Sequence, residues 1–97
     1  MSHVNLIVAV QIKLKNKQAV IDAIKEMQGP SQAEEGCIKY DYAISSNELS
    51  KIFLMEIWKD RTVFEAHKKT KHFIDGNIKL AQLCENVTLH EVEWNVD

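Results

Sequence analysis

The chain has 97 residues, 45% of them hydrophobic and 27% charged, enough for one domain over residues 1–97 with a modest core. A net charge of −2 leaves no electrostatic footprint for nucleic acid or an anionic membrane surface, and no apolar run approaches the roughly 20 residues of a membrane-spanning helix. The start, Met1-Ser2-His3, lacks the basic region and apolar stretch of a signal peptide, so a cytoplasmic protein is expected, with Cys37 and Cys84 as free buried thiols.

Val4 to about Leu14 alternates, with Val4, Leu6, Val8, Val10 and Ile12 on one face, and reads as a strand. Asn16 is placed to cap a helix from Lys17, with Val20, Ala23, Ile24 and Met27 on its inner stripe. Gly29-Pro30 should stop or kink that helix, and Ser31-Gln32-Ala33-Glu34 has the capping-box pattern of a new turn. Gly36 should end the turn in the left-handed region. Cys37 to Ile44 follows as a strand, with Ile38, Tyr40, Tyr42 and Ile44 sharing a face.

After a polar loop, Lys51 to Trp58 reads as a central strand, apolar on both sides. Asp60 should cap a helix over 61–68. Thr70 should cap a second one over 71–84, with Ile74, Ile78 and Ala81 inward and Phe73, Leu80 and Cys84 beside them. Val87 to Trp94 is the last expected strand. The order β-α-β, β-α-β with right-handed crossovers predicts a ferredoxin-like α+β fold, both helical layers on one face of an antiparallel sheet. The other face carries Phe53, Met55 and Ile57 and no helix, which predicts a second copy of the chain against it.

Chemistry-bearing residues gather between Glu56 and Phe73. Glu56 and Trp58 share a strand face, and a carboxylate inside an apolar strand needs a partner, for which a histidine or the indole N–H would serve. His67 lies near a helix C-terminus, where the dipole favours imidazolium. His72 lies in the first turn after Thr70, where it favours neutral imidazole. His67 is therefore expected to hold its proton to higher pH than His72. The plainer reading is that both histidines only satisfy hydrogen bonds at a helix break. On one continuous helix, residues five apart point roughly 140° apart, unlike a metal-binding pair, and no spacing supplies a third ligand, so no metal is expected. His3 and His90 look incidental. The sequence holds no phosphate-binding glycine loop and no serine nucleophile motif.

The pattern Glu34-Glu35-Gly36-Cys37 with Tyr40, then Glu56-x-Trp58, then Phe64-Glu65-Ala66-His67-Lys68-Lys69-Thr70-Lys71-His72-Phe73 resembles the antibiotic biosynthesis monooxygenase domain over most of the chain. The resemblance implies a ferredoxin-like subunit that pairs sheet to sheet into a dimeric α/β barrel, with a cavity between sheet and helices. The family includes cofactor-free monooxygenases of quinols and polyketide phenols, haem-degrading enzymes, and an isomerase-like enzyme of a phosphorylated autoinducer sugar. The chain looks most like the quinol-monooxygenase and autoinducer-processing branches, which carry a similar His-x-x-Thr-x-His segment. The haem-degrading branch has a Trp where His67 stands and uses an Asn on the first strand, which Asn5 does not match.

The resulting expectation is a homodimeric oxygenase without metal or cofactor, acting on a small quinol-like or phenolic substrate with O₂. His67 or His72 would take the proton and Glu56 would orient an imidazole. Trp58, Tyr40 and Phe73 would wall the site, with Thr70 beside them. The alternatives are an isomerase or detoxifying enzyme using the same histidines, and a non-catalytic module that binds a metabolite.

Overall fold

The computed structural model describes residues 3–94, so Met1 and Ser2 of the start lie outside the described residues. The elements are β1 (Val4–Ile12), α1 (Lys17–Gln32), β2 (Cys37–Ile44), β3 (Lys51–Trp58), α2 (Arg61–His67), α3 (Lys71–Leu83) and β4 (Cys84–Val92), with a 3-10 turn at Leu14–Asn16. The sheet order is β2-β3-β1-β4 and every neighbouring pair is antiparallel. This is the ferredoxin-like α+β architecture that the element order predicts.

Alternation builds the core. Val4, Leu6, Val8, Val10 and Ile12 of β1 are buried, as are Ile52, Leu54, Glu56 and Trp58 of β3. Val20, Ala23, Ile24 and Met27 of α1 and Leu80 of α3 close over them. Each large apolar side chain removed from water contributes about 1.5–3 kcal/mol, so the two central strands and α1 hold most of the driving force. On the opposite face Phe53, Met55 and Ile57 remain half-buried, with no helix above them among the described residues. Among the described residues no helix is long and apolar enough to cross a membrane.

Several local expectations change. β1 ends at Ile12, and Leu14 lies exposed in the 3-10 turn. Asn16 precedes α1 but makes no side-chain cap. That turn leaves its backbone at φ −100°, ψ 2°, not extended, and its amide instead donates to the Leu83 carbonyl at 3.2 Å. It thereby satisfies an orphan carbonyl at the end of α3.

Pro30 does not break α1. It lies in the last turn, where its missing N–H removes one helical bond, and its ring faces outward. The same turn is tied to the edge strand, because Gln28 and Gln32 both donate to the Tyr40 carbonyl, at 3.2 and 3.0 Å. Ser31 is therefore inside the helix and is no N-cap. Its hydroxyl is fully buried beside the Tyr40 hydroxyl, without a well-aligned hydrogen bond. Ile38 leaves the face of Tyr40 and Tyr42, because a bulge between Cys37 and Lys39 turns it outward.

The inner stripe of α3 is also different. Phe73, Gly76, Leu80 and Leu83 face inward, while Ile74, Ile78 and Ala81 are exposed. β4 begins at Cys84, three residues before the expected Val87, and ends at Val92 before Trp94.

Candidate active site

Three chain segments converge on one spot. The first is the turn after α1. Gly36 adopts φ 87°, and a Cβ there would lie 2.7 Å from both methyls of Val63, so this position requires glycine in conformation and in space. The turn delivers Glu34. The second segment is β3, whose period of two aims Glu56 and Trp58 at the helices.

The third is the junction of α2 and α3. Asp60 accepts from the Val63 N–H at 2.9 Å and starts α2. Thr70 accepts from the Phe73 N–H at 3.2 Å and starts α3, as expected. The Thr70 hydroxyl also donates to the His67 carbonyl at 2.8 Å, tying the end of one helix to the start of the next. This break turns the axis between His67 and His72, so the continuous-helix spacing does not apply to them.

Glu34, which the sequence marks only as part of a capping-box pattern and of the family-like motif, bridges the two histidines. Its Oε2 lies 2.6 Å from His67 Nδ1 and 2.7 Å from His72 Nε2. His67 is 2% exposed. Its ring lies 4.2 Å from that of Trp58 and 5.1 Å from that of Phe73, with Tyr40 and Phe64 further out. Trp58 donates its indole N–H to Glu56 Oε1 at 3.0 Å, and the same oxygen lies 4.0 Å from His67 Nε2.

Burial dominates the electrostatics. It pushes the Glu56 carboxyl up to about 7, with the indole N–H opposing the rise and Glu34 adding to it. It also lowers the His67 pKa, and the adjacent Glu34 carboxylate only partly restores it. Desolvation of this nearly enclosed imidazolium thus acts against the α2 dipole, a field worth about 0.3–1 kcal/mol at an exposed terminus. Burial likewise raises the Tyr40 phenol and both thiols, Cys37 to about 11. Both cysteines are free and stay protonated near neutral pH.

A cavity of about 510 Å³ opens between the sheet and α3. Tyr40, Glu56, His67 and Phe73 lie in its wall with Val8, Leu54, Leu80 and Leu89. Four of the expected site residues thus share one cavity. Trp58 is fully buried behind Glu56 and His67. Thr70 acts through the helix junction. His72 lies on the far side of Glu34 and lines a separate surface depression with Glu26, Lys71, Asp75 and Lys79. Glu34 Oε2, His67 Nδ1 and His72 Nε2 all lie within 4.8 Å of one another, a donor set that could also hold a metal ion.

A largely apolar chamber with one buried imidazole and one carboxyl near neutrality is suited to taking a proton from a small bound molecule and holding the anion away from water. A Bacillus subtilis protein of uncharacterised function, YjcS, is 31% identical over 81 residues, covering 82% of this chain and 69% of the relative. A Bacteroides thetaiotaomicron structure, described as a conserved protein of unknown function and possible oxidoreductase, is 34% identical with a TM-score of 0.86. It covers 94% of this chain and 98% of its own. PA3566 from Pseudomonas aeruginosa shares the fold with a TM-score of 0.90 at 23% identity, over 99% and 97% of the two chains. The sequence profile of the antibiotic biosynthesis monooxygenase family matches residues 4–77. The coarse function these matches support is monooxygenase-like, and the chain belongs to the antibiotic biosynthesis monooxygenase family.

Proposed function

We propose that the protein is a cofactor-independent monooxygenase that oxidises a small quinol-like or phenolic compound with O₂. The observation that carries this reading is His67 Nε2 beside Glu56 in the wall of a largely apolar cavity. With His67 Nδ1–H donated to Glu34, Nε2 is bare and faces the chamber as the proton acceptor. It takes the hydroxyl proton of the substrate, and the electron-rich anion reduces O₂ directly. For a quinol the balance is quinol plus O₂ to hydroxyquinone plus water, all electrons coming from the substrate. Glu56, half protonated near pH 7, supplies a proton to the departing oxygen. Phe73 and Tyr40 exclude water, which strengthens the electrostatic hold on the anion.

A phosphorylated sugar fits the cavity less well. Among the described residues its wall contains Glu56 and Glu85 but no lysine or arginine to hold a phosphate. Oxygen uptake across a panel of quinols and phenols tests the reading. Chelator-treated protein should still consume O₂, and His67→Ala should lower kcat by about 10²–10⁴-fold, the range for a positioned acid–base group. Tight binding of the panel without any turnover would establish the metabolite-binding module instead.

A further inference from the structure

We propose that Glu34, His67 and His72 form a binding site for a first-row divalent cation of the zinc type, and that its occupation competes with the work of His67 as a base. Two features of the sequence speak against a metal: a spacing of five on one helix, and the lack of a third ligand. The structure removes both. The break at Thr70 brings the two rings together, and Glu34 arrives from the turn after α1.

Two imidazole nitrogens and one carboxylate oxygen make up the ligand set of three-residue zinc sites that keep a fourth position open. Metal–ligand distances of about 2.0–2.2 Å space tetrahedral ligand atoms at roughly 3.4 Å. The rings must therefore withdraw by about 0.7–0.8 Å from Glu34 Oε2, where they now stand at 2.6 and 2.7 Å. His72, on the partly exposed first turn of α3, has room to do so.

The surroundings favour a cation. His67 Nε2 faces Glu56 Oε1 at 4.0 Å, and Trp58 holds that carboxyl in place. A carboxylate behind a ligating imidazole is the usual support of such a site. The depression beside His72 provides entry from solvent. Its two lysines do not repel a cation strongly, because Lys71 pairs with Asp75 and Lys79 with Glu26, each at 2.5 Å. Loading needs no net proton release from the imidazoles. Each imidazole now donates to Glu34, so His67 would move its proton from Nδ1 to Nε2 and His72 its own from Nε2 to Nδ1. The competition with catalysis, which rests on the oxygenase reading above, follows directly: a His67 bound through Nδ1 carries its proton on Nε2 and has no bare nitrogen toward the cavity.

Untagged, chelator-stripped protein titrated with Zn²⁺ by calorimetry, and with Co²⁺ by visible absorption, tests the site. One ion per chain is expected. His72→Ala and Glu34→Gln should each weaken binding by roughly 100-fold or more, and Glu56→Gln by about 10–100-fold. His3→Ala should leave it unchanged. Should a variant fail to fold, the wild-type imidazole signals decide: Zn²⁺ should move those of His67 and His72 in NMR spectra and spare those of His3 and His90. Absence of saturable binding, binding indifferent to both ligand substitutions, or movement of the His3 and His90 signals instead would overturn the proposal. Stoichiometric Zn²⁺ should abolish quinol-dependent O₂ uptake and a chelator should restore it. Uptake unaffected by a bound ion would refute the competition. Saturable binding in a protein that never consumes O₂ would uphold the site and refute the oxygenase reading.

Discussion

Two carboxylates set the electrostatics of the site, Glu56 in the cavity wall and Glu34 between the two imidazoles. Glu56 stands out because strand alternation places a carboxylate where only apolar residues belong, and the same alternation puts Trp58 beside it, close enough to donate its N–H. Glu34 is 33 residues from His67 and sits in a stretch that satisfies a capping-box pattern. Only the path of the chain around Gly36 brings it between the histidines. His72 was legible as a reactive residue, but its exclusion from the cavity follows from the same bridge.

Glu56 also makes a prediction about stability. Its folded pKa, about 7, lies above the ordinary 4.5, so the fold favours the neutral carboxyl. Its contribution is fully present below pH 4.5 and is lost as pH rises through about 7, because the unfolded chain ionises first. Glu56→Gln keeps an oxygen for the Trp58 N–H and cannot ionise. In chelator-containing buffer the variant should be more stable than the parent at pH 8, by on the order of 3 kcal/mol at most. The advantage should disappear by pH 4.5. Urea unfolding at a series of pH values measures it, and a pH-independent difference would mean that Glu56 does not ionise between these limits.

At the scale of elements, existence and order were legible because the apolar periods are strong, and β2 and β3 fall on their expected bounds. Helix faces and ends were not. In α3, Ile74 and Ile78 satisfy a helical stripe in hydropathy, yet the inner face follows Phe73, Gly76, Leu80 and Leu83. The decisive residue is the smallest one. A Cβ on Gly76 would fall 2.0 Å from Met27 Sδ and 2.3 Å from its Cγ, so the glycine lets α3 approach α1. Hydropathy does not register a residue whose role is to be absent from a contact. In an exposed helix Gly→Ala would stabilise by roughly 0.8–1 kcal/mol. Here Gly76→Ala must displace the buried Met27, and overpacking typically costs 1–3 kcal/mol. The variant should therefore be less stable than the parent in urea unfolding. A gain in stability would show that Met27 finds another rotamer without strain.

At the scale of the molecule, the sheet has one face covered by helices and one left open. Ile7 and Ala9 of β1 and Phe53, Met55 and Ile57 of β3 form a central apolar strip on the open side, flanked by Lys39 and Asp41 of β2 and by Thr88 and His90 of β4. The middle of this face is thus apolar and its margins mostly polar, with Asn5 and Gln11 at the ends of β1 and Ala43 and Val92 as apolar exceptions on the edge strands, the layout of an interface with an apolar middle and a polar rim. A small domain buries a limited share of its surface by itself, so pairing two such faces adds core that one chain lacks. We expect a homodimer formed sheet to sheet. Light scattering after gel filtration should give twice the chain mass at micromolar concentration. Phe53→Glu places a charge in the middle of the strip, where a desolvated carboxylate without a partner is costly, and should give a monomer. The helix-side cavity lies on the opposite face of the sheet, so His67 and Glu56 should keep their arrangement in that monomer. A wild-type chain that runs as a clean monomer would remove the barrel assembly, and a Phe53→Glu chain that still dimerises would move the interface off this face.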